Sequence, residues 1–99
     1  VESDEHGVLT RGSVNKEELN AKGELVGIHK LSAKFFSLMC QDYGKIAESK
    51  PKLGYEYELL SMSQRISPVF VLNVPSLAWY EIDDSDDLAY AEKHILSKL

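Results

Sequence analysis

The whole net charge of this chain sits in one short stretch that joins a strand-like segment to the clearest helix. Residues 81–87 hold Glu81, Asp83, Asp84, Asp86 and Asp87 and no base, which equals the net charge of −5. The other 92 residues balance at 11 positive and 11 negative side chains. Ahead of the acids, Ala78-Trp79-Tyr80-Glu81-Ile82 has the aromatic and β-branched content of a short strand. Behind them, Leu88, Ala91, Ile95 and Leu99 recur at helical spacing. Asp84 or Ser85 is placed to cap that helix, acids fill its first turn, and Lys93, His94 and Lys98 lie toward its negative end. A strand that turns directly into a helix predicts an α/β layer arrangement. In such sheets the loops leaving strand C-termini are where ligands bind.

The same alternation runs through the rest of the chain. Ser3 to Gly7 reads as a turn and Val8–Arg11 as a short edge strand, with one helical turn or a loop over Lys16–Ala21. Glu24–Leu31 reads as a strand buried on at least one face, and Gly27 inside it predicts close approach of another group. Ser32 is placed as an N-cap, with Phe35, Leu38/Met39, Asp42/Tyr43 and Ile46 at helical spacing behind it. Their simplest use is core packing. Lys50-Pro51 ends that helix, because proline disfavours the α conformation before it. Gly54 opens a shorter helix over Tyr55–Met62, and Pro68 and Pro75 bracket a strand, Val69–Val74. No repeat, low-complexity tract or domain boundary interrupts this order, so residues 1–99 are read as a single unit.

Composition removes several classes of function. The chain has 99 residues, of which 43% are hydrophobic and 27% charged, which are globular values. No apolar run approaches the ~18 residues of a membrane helix. The single cysteine, Cys40, allows no internal disulfide or cysteine-based zinc site and fits a reducing cytoplasm. A net-acidic chain without a basic stripe argues against nucleic-acid binding. His6, His29 and His94 lack metal-ligand spacing, and no serine has a nucleophile-elbow context.

Three uses compete for the acids of residues 81–87. Helix capping accounts readily for Asp84, Asp86 and Asp87, at about 0.3–1 kcal/mol for each charge near the helix N-terminus. A calcium loop starting at Asp83 fails, because Leu88 stands where the glycine is required and His94 where the bidentate glutamate is required. The third use is a single hard-cation ligand at the strand end. Mg2+ takes only one or two carboxylates, with waters and phosphate oxygens completing its octahedron. Asp83 is the candidate for that role.

The run Ala78-Trp79-Tyr80-Glu81-Ile82-Asp83-Asp84, followed by Asp87-Leu88 and by Ala91-Glu92, resembles the C-terminal signature of nucleotidyltransferases of the phosphocholine cytidylyltransferase and sugar-phosphate type. Gly23-Glu24-Leu25-Val26-Gly27-Ile28, with Lys30-Leu31-Ser32, is similar to a strand of the same family. Tyr57-Glu58-Leu59-Leu60 resembles its segment near the acceptor site. The three matches occur in family order and cover roughly residues 23–97; the last motif is the most specific.

The resemblance implies the C-terminal part of a three-layer, Rossmann-like mixed sheet with flanking helices. It implies transfer of a nucleotidyl group, CMP first among the choices, from a nucleoside triphosphate to a phosphorylated alcohol or sugar. Asp83 would be the second of two aspartates holding Mg2+, and Glu58 and Tyr57 would line the acceptor pocket, with Lys30 an outside choice for a phosphate. The Gly-rich triphosphate loop of the family and its first metal aspartate do not occur in these 99 residues. The chain is therefore expected to be part of a longer enzyme and inactive alone, with apolar patches and self-association when isolated. A molybdenum-cofactor guanylyltransferase-like subclass shares the implied fold.

Each candidate also has a plainer reading. Tyr55, Glu56, Tyr57 and Glu58 put aromatic faces and carboxylates together, as an ammonium head group requires; equally, Tyr57 and Leu60 pack inward while Glu56 is solvated. A lone lysine after a strand, such as Lys30, is commonly just exposed. Trp79 is expected to pack beneath the last helix. The alternative from a different class is a stand-alone acidic α/β interaction module, whose 81–87 cluster meets a basic partner.

Overall fold

The computed structural model describes residues 1–21 and 23–99. It is a small mixed α/β arrangement of a two-stranded antiparallel sheet and three helices. The strands are β1 (Glu2–Ser3) and β2 (Leu9–Arg11), paired Glu2 to Arg11 and Ser3 to Leu9 with an irregularity between. Asp4 makes the turn between them, its Oδ1 accepting from the backbone N–H of His6 at 2.9 Å and of Val8 at 3.0 Å. Gly7 completes it at φ +79°, a conformation that favours glycine. A 3-10 turn follows over Lys16–Glu18.

Helix α1 (Ala33–Gly44) starts where the sequence says it should. Ser32 is extended, and its Oγ accepts from the Phe35 N–H at 3.0 Å. Such a cap is worth about 1 kcal/mol. Helix α2 (Tyr55–Arg65) follows Gly54 as N-cap and runs three residues past the expected Met62. Helix α3 (Ser85–His94) is capped by Asp84, with a 3-10 turn over Leu96–Lys98 replacing its expected last turn.

The core forms where α2 crosses β2 and touches α1. Leu9, Leu59 and Met62 are its buried hydrophobic residues, and Met62 is wholly enclosed. Polar contacts stitch the crossing. Ser63 Oγ donates to the Leu9 carbonyl at 2.9 Å and accepts from the Val69 N–H at 3.1 Å. Gln64 Nε2 donates to the Thr10 carbonyl at 3.0 Å.

Three segments expected as strands do not form ladders. Residues 24–31 are irregular, with a bend at Gly27, whose φ of +83° breaks the alternation a strand requires. The glycine still marks a close approach: a Cβ there would lie 3.2 Å from the Tyr55 hydroxyl. Within 69–74 only Phe70 makes a bridge, antiparallel to Val8. Residues 78–82 carry no strand pairing among the described residues. Strand composition favours extended backbone, but a ladder needs a second chain segment alongside. For these segments the described residues offer too little of one.

That shortage shows in the dimensions. The radius of gyration is 15.9 Å, against the ~13 Å of a closely packed chain of this length. No helix is long and apolar enough to cross a membrane among the described residues. Cys40 is free and exposed.

Candidate functional site

Asp83 follows the unpaired segment 78–82, one residue before the cap of α3. Two of the acids beside it are committed to the helix start. Asp84 Oδ1 accepts from the Asp87 N–H at 2.8 Å, and Asp87 Oδ2 reaches back to accept from the Asp83 N–H at 3.1 Å. This reciprocal arrangement resembles a capping box displaced by one residue. The Asp83 carboxylate accepts no hydrogen bond among the described residues and is exposed. No group of three or more His, Cys, Asp or Glu side chains converges there or elsewhere among those residues.

Behind this turn lies an open apolar groove of about 250 Å3, lined among others by Trp79, Ile82, Leu88, Ala91, Ile95 and Leu99. Trp79 and the α3 stripe therefore meet as expected, although Leu88 remains 46% exposed. Tyr80 stacks on Tyr90 with ring centroids 4.8 Å apart, and Tyr90 continues to His94 at 4.5 Å. Partial burial pushes the Tyr80 hydroxyl up from its ordinary value, with the Asp87 charge adding to it.

The expected acceptor residues separate. Tyr57 is exposed on α2. Glu58, one residue on, turns inward to the contact between α1 and α2, where it is 2% exposed and both carboxyl oxygens lack a hydrogen-bond partner. Beside it are Asp42 of α1, also buried, and Arg65 at the end of α2, whose Nη2 donates to Asp42 Oδ2. The Arg65 guanidinium holds the Asp42 carboxyl below the usual aspartate range. Burial pushes Glu58 up, and the neighbouring Asp42 pushes it further. One guanidinium faces two enclosed carboxyls, so the arrangement favours Asp42 as the anion and Glu58 as the acid.

Lys30 lies elsewhere again, on a groove of about 320 Å3 with Ser32, Phe35, Ser67, Val69 and Phe70. Of Lys30, Tyr57, Glu58 and Asp83, only Lys30 lines either of these two grooves. No hydrogen bond or ion pair joins any two of the four among the described residues. Tyr55 lies beside Gly27 and His29. Its ring meets His29 edge-on at 5.2 Å, and burial raises its hydroxyl, with the charges of Glu56 and then Glu81 contributing.

The Asp42–Glu58–Arg65 cluster is the feature that sequence reasoning missed. One signal was present: Asp42 falls inside the Phe35, Leu38/Met39 stripe, where an acid needs a partner. Its partner is 23 positions away in sequence, so spacing within α1 could not supply it. No family model matches the chain, and no solved structure matches it.

Proposed function

We propose that the chain is the metal- and acceptor-binding part of a Mg2+-dependent nucleotidyltransferase. It would serve transfer of a nucleotidyl group, CMP first among the choices, from a nucleoside triphosphate to a phosphorylated alcohol or sugar. The observation that carries this reading is the state of the acids at the α3 start. Asp84 and Asp87 are engaged in starting the helix, whereas the exposed Asp83 carboxylate, directly before the cap, accepts no hydrogen bond among the described residues. That suits Mg2+, which needs one or two carboxylates and takes its remaining ligands from water and phosphate. Bound there, the ion would neutralise charge on the reacting phosphates.

In the same reading, Tyr57 offers a half-exposed ring to an ammonium head group and Lys30 a charge to a phosphate. Glu58 would join them only with the contact between α1 and α2 opened. The finer fold, a Rossmann-like mixed sheet in three layers, is supported by the uncharged, apolar composition of 69–74. The 99 residues contain no Gly-rich triphosphate loop. The reading therefore assigns that loop to another part of a longer polypeptide and predicts no turnover by this chain alone.

Two measurements test it. Titrating the chain with Mn2+ as a paramagnetic probe should broaden NMR signals around Asp83 first, and Asp83→Asn should remove that site while leaving the helical signal intact. Equal broadening at Asp84, Asp86 and Asp87 that survives the substitution would sink the metal assignment. In a longer polypeptide carrying a triphosphate loop, Asp83→Asn should abolish diphosphate release from CTP with phosphocholine as the acceptor.

A further inference from the structure

Helix α1 is fastened to α2 through charge more than through enclosure. Its Phe35, Leu38 and Met39 are half-buried, Phe36 is exposed, and its buried residue is an acid, Asp42. Asp42 accepts from Nη2 of Arg65, the last residue of α2. Seven positions before Arg65, and so on the same face of α2, lies Glu58. It is enclosed, and neither of its carboxyl oxygens has a partner among the described residues. An enclosed carboxyl without a donor is unfavourable as an anion and tolerable as a neutral acid.

The charged groups around Glu58 come from three directions. Helix α1 brings Asp42, with Lys45 at its C-cap acting on that acid. Helix α2 itself brings Arg65. The charged residue of β2, Arg11, is held elsewhere, by the Glu2 carboxylate and the Glu18 carbonyl. Glu48, Lys50 and Lys52, in the connection between the helices, are exposed. One half-exposed guanidinium therefore serves two enclosed carboxyls. With Glu58 neutral, Arg65 pairs with Asp42, and the Glu58 hydroxyl has that carboxylate as its neighbouring acceptor. Once the Glu58 proton has passed to water, two anions share one cation and repel each other across the contact.

We propose that Glu58 is a proton-controlled latch between α1 and α2: neutral, it keeps the helices together, and ionised, it releases α1 while α2 stays on β2. The asymmetry follows from what else holds each helix. Leu59 and Met62 are buried where α2 meets Leu9, and Ser63 and Gln64 bond the β2 backbone. Helix α1 buries no apolar residue in return. Its 12 residues, once detached, fall at the short end of the ~12–15 at which an isolated helix is marginal, so release is followed by fraying. Release also brings Glu58 into water as a carboxylate, beside the exposed Tyr57. The latch is closed in acid and opens as pH rises through the raised folded value of Glu58. It does not depend on the transferase reading.

Amide exchange on the unaltered 99-residue chain from about pH 4 to 8 is the first test. Protection factors within Ala33–Gly44 should fall by about tenfold or more across that range, while those of α2 hold, a readout that needs no variant. Spin labels on Cys40 of α1 and on Glu56→Cys, exposed on α2, should report one narrow distance in acid and a longer, broader distribution above the transition. Glu58→Gln, neutral at every pH, should keep α1 closed throughout. Asp42→Asn should do the same, because Arg65 is then free to serve an ionised Glu58. Protection of α1 that is indifferent to pH, opening that persists in either variant, or release of α2 together with α1 each overturns it. None of these outcomes touches the Mn2+ titration at Asp83, which is read at one fixed pH.

Discussion

The crossing of α2 over β2 and the C-terminal unit from Ala78 onward are built from similar apolar content, yet only the first encloses any of it. Around α2, Leu9, Leu59 and Met62 are buried, and Ser63 and Gln64 satisfy the backbone they cover. Around α3, Leu88, Leu96 and Leu99 stay 46%, 62% and 82% exposed, and no helix residue is buried. Among the described elements, α3 contacts only the 3-10 turn that continues it. A helix held by its cap and the segment before it depends on local bonds. One held between a strand and another helix depends on enclosure. The two should fail under different perturbations.

Truncating the same kind of side chain in each region should break the comparison most visibly. Met62→Ala is expected to cost about 2–5 kcal/mol, the range for emptying a packed site. Leu88→Ala, at a half-open groove, should cost under ~1 kcal/mol, scaled by the smaller area it buries. Thermal unfolding followed by circular dichroism checks both, and equal losses would mean that α3 is enclosed in solution. In the reverse direction, Asp84→Ala removes the α3 cap at a cost of about 1 kcal/mol. Its effect should appear as faster amide exchange within Ser85–His94 and leave α1 and α2 unchanged.

The enclosed carboxyls give the α2 region a pH dependence. Asp42 is held below its ordinary value, so its contribution is present above about 3.8 and is lost as pH falls through its folded value. Glu58 behaves oppositely. Its folded value is raised, so the folded state binds the proton more tightly, and stability declines as pH rises from the ordinary 4.5 through the folded value. Glu58→Gln cannot ionise and should flatten that upper limb while keeping the acid limb set by Asp42. Urea midpoints measured across pH 3–8 read this out. An unchanged upper limb would place Glu58 in water.

These differences follow the reach of each signal along the chain. Ser32 and Asp84 were legible as helix starts because a cap side chain bonds a backbone N–H three residues away, and the apolar spacing behind each closes within a turn or two. The strand-like segments at 24–31, 69–74 and 78–82 were legible in composition, but a ladder is a contract between distant segments. Glu58 could not be placed, because the direction it faces depends on how α2 lies against α1.

The amino-acid sequence by itself therefore determined where the helices begin and where the net charge sits. Both rest on bonds or charges within a few residues. Only the tertiary structure decided that Glu58 shares an enclosed site with Asp42 and Arg65, that Lys30 and Asp83 lie on different surfaces, and that Phe70 alone within residues 69–74 is bridged. Those outcomes depend on enclosure and on hydrogen bonds across tens of residues, which no local pattern encodes.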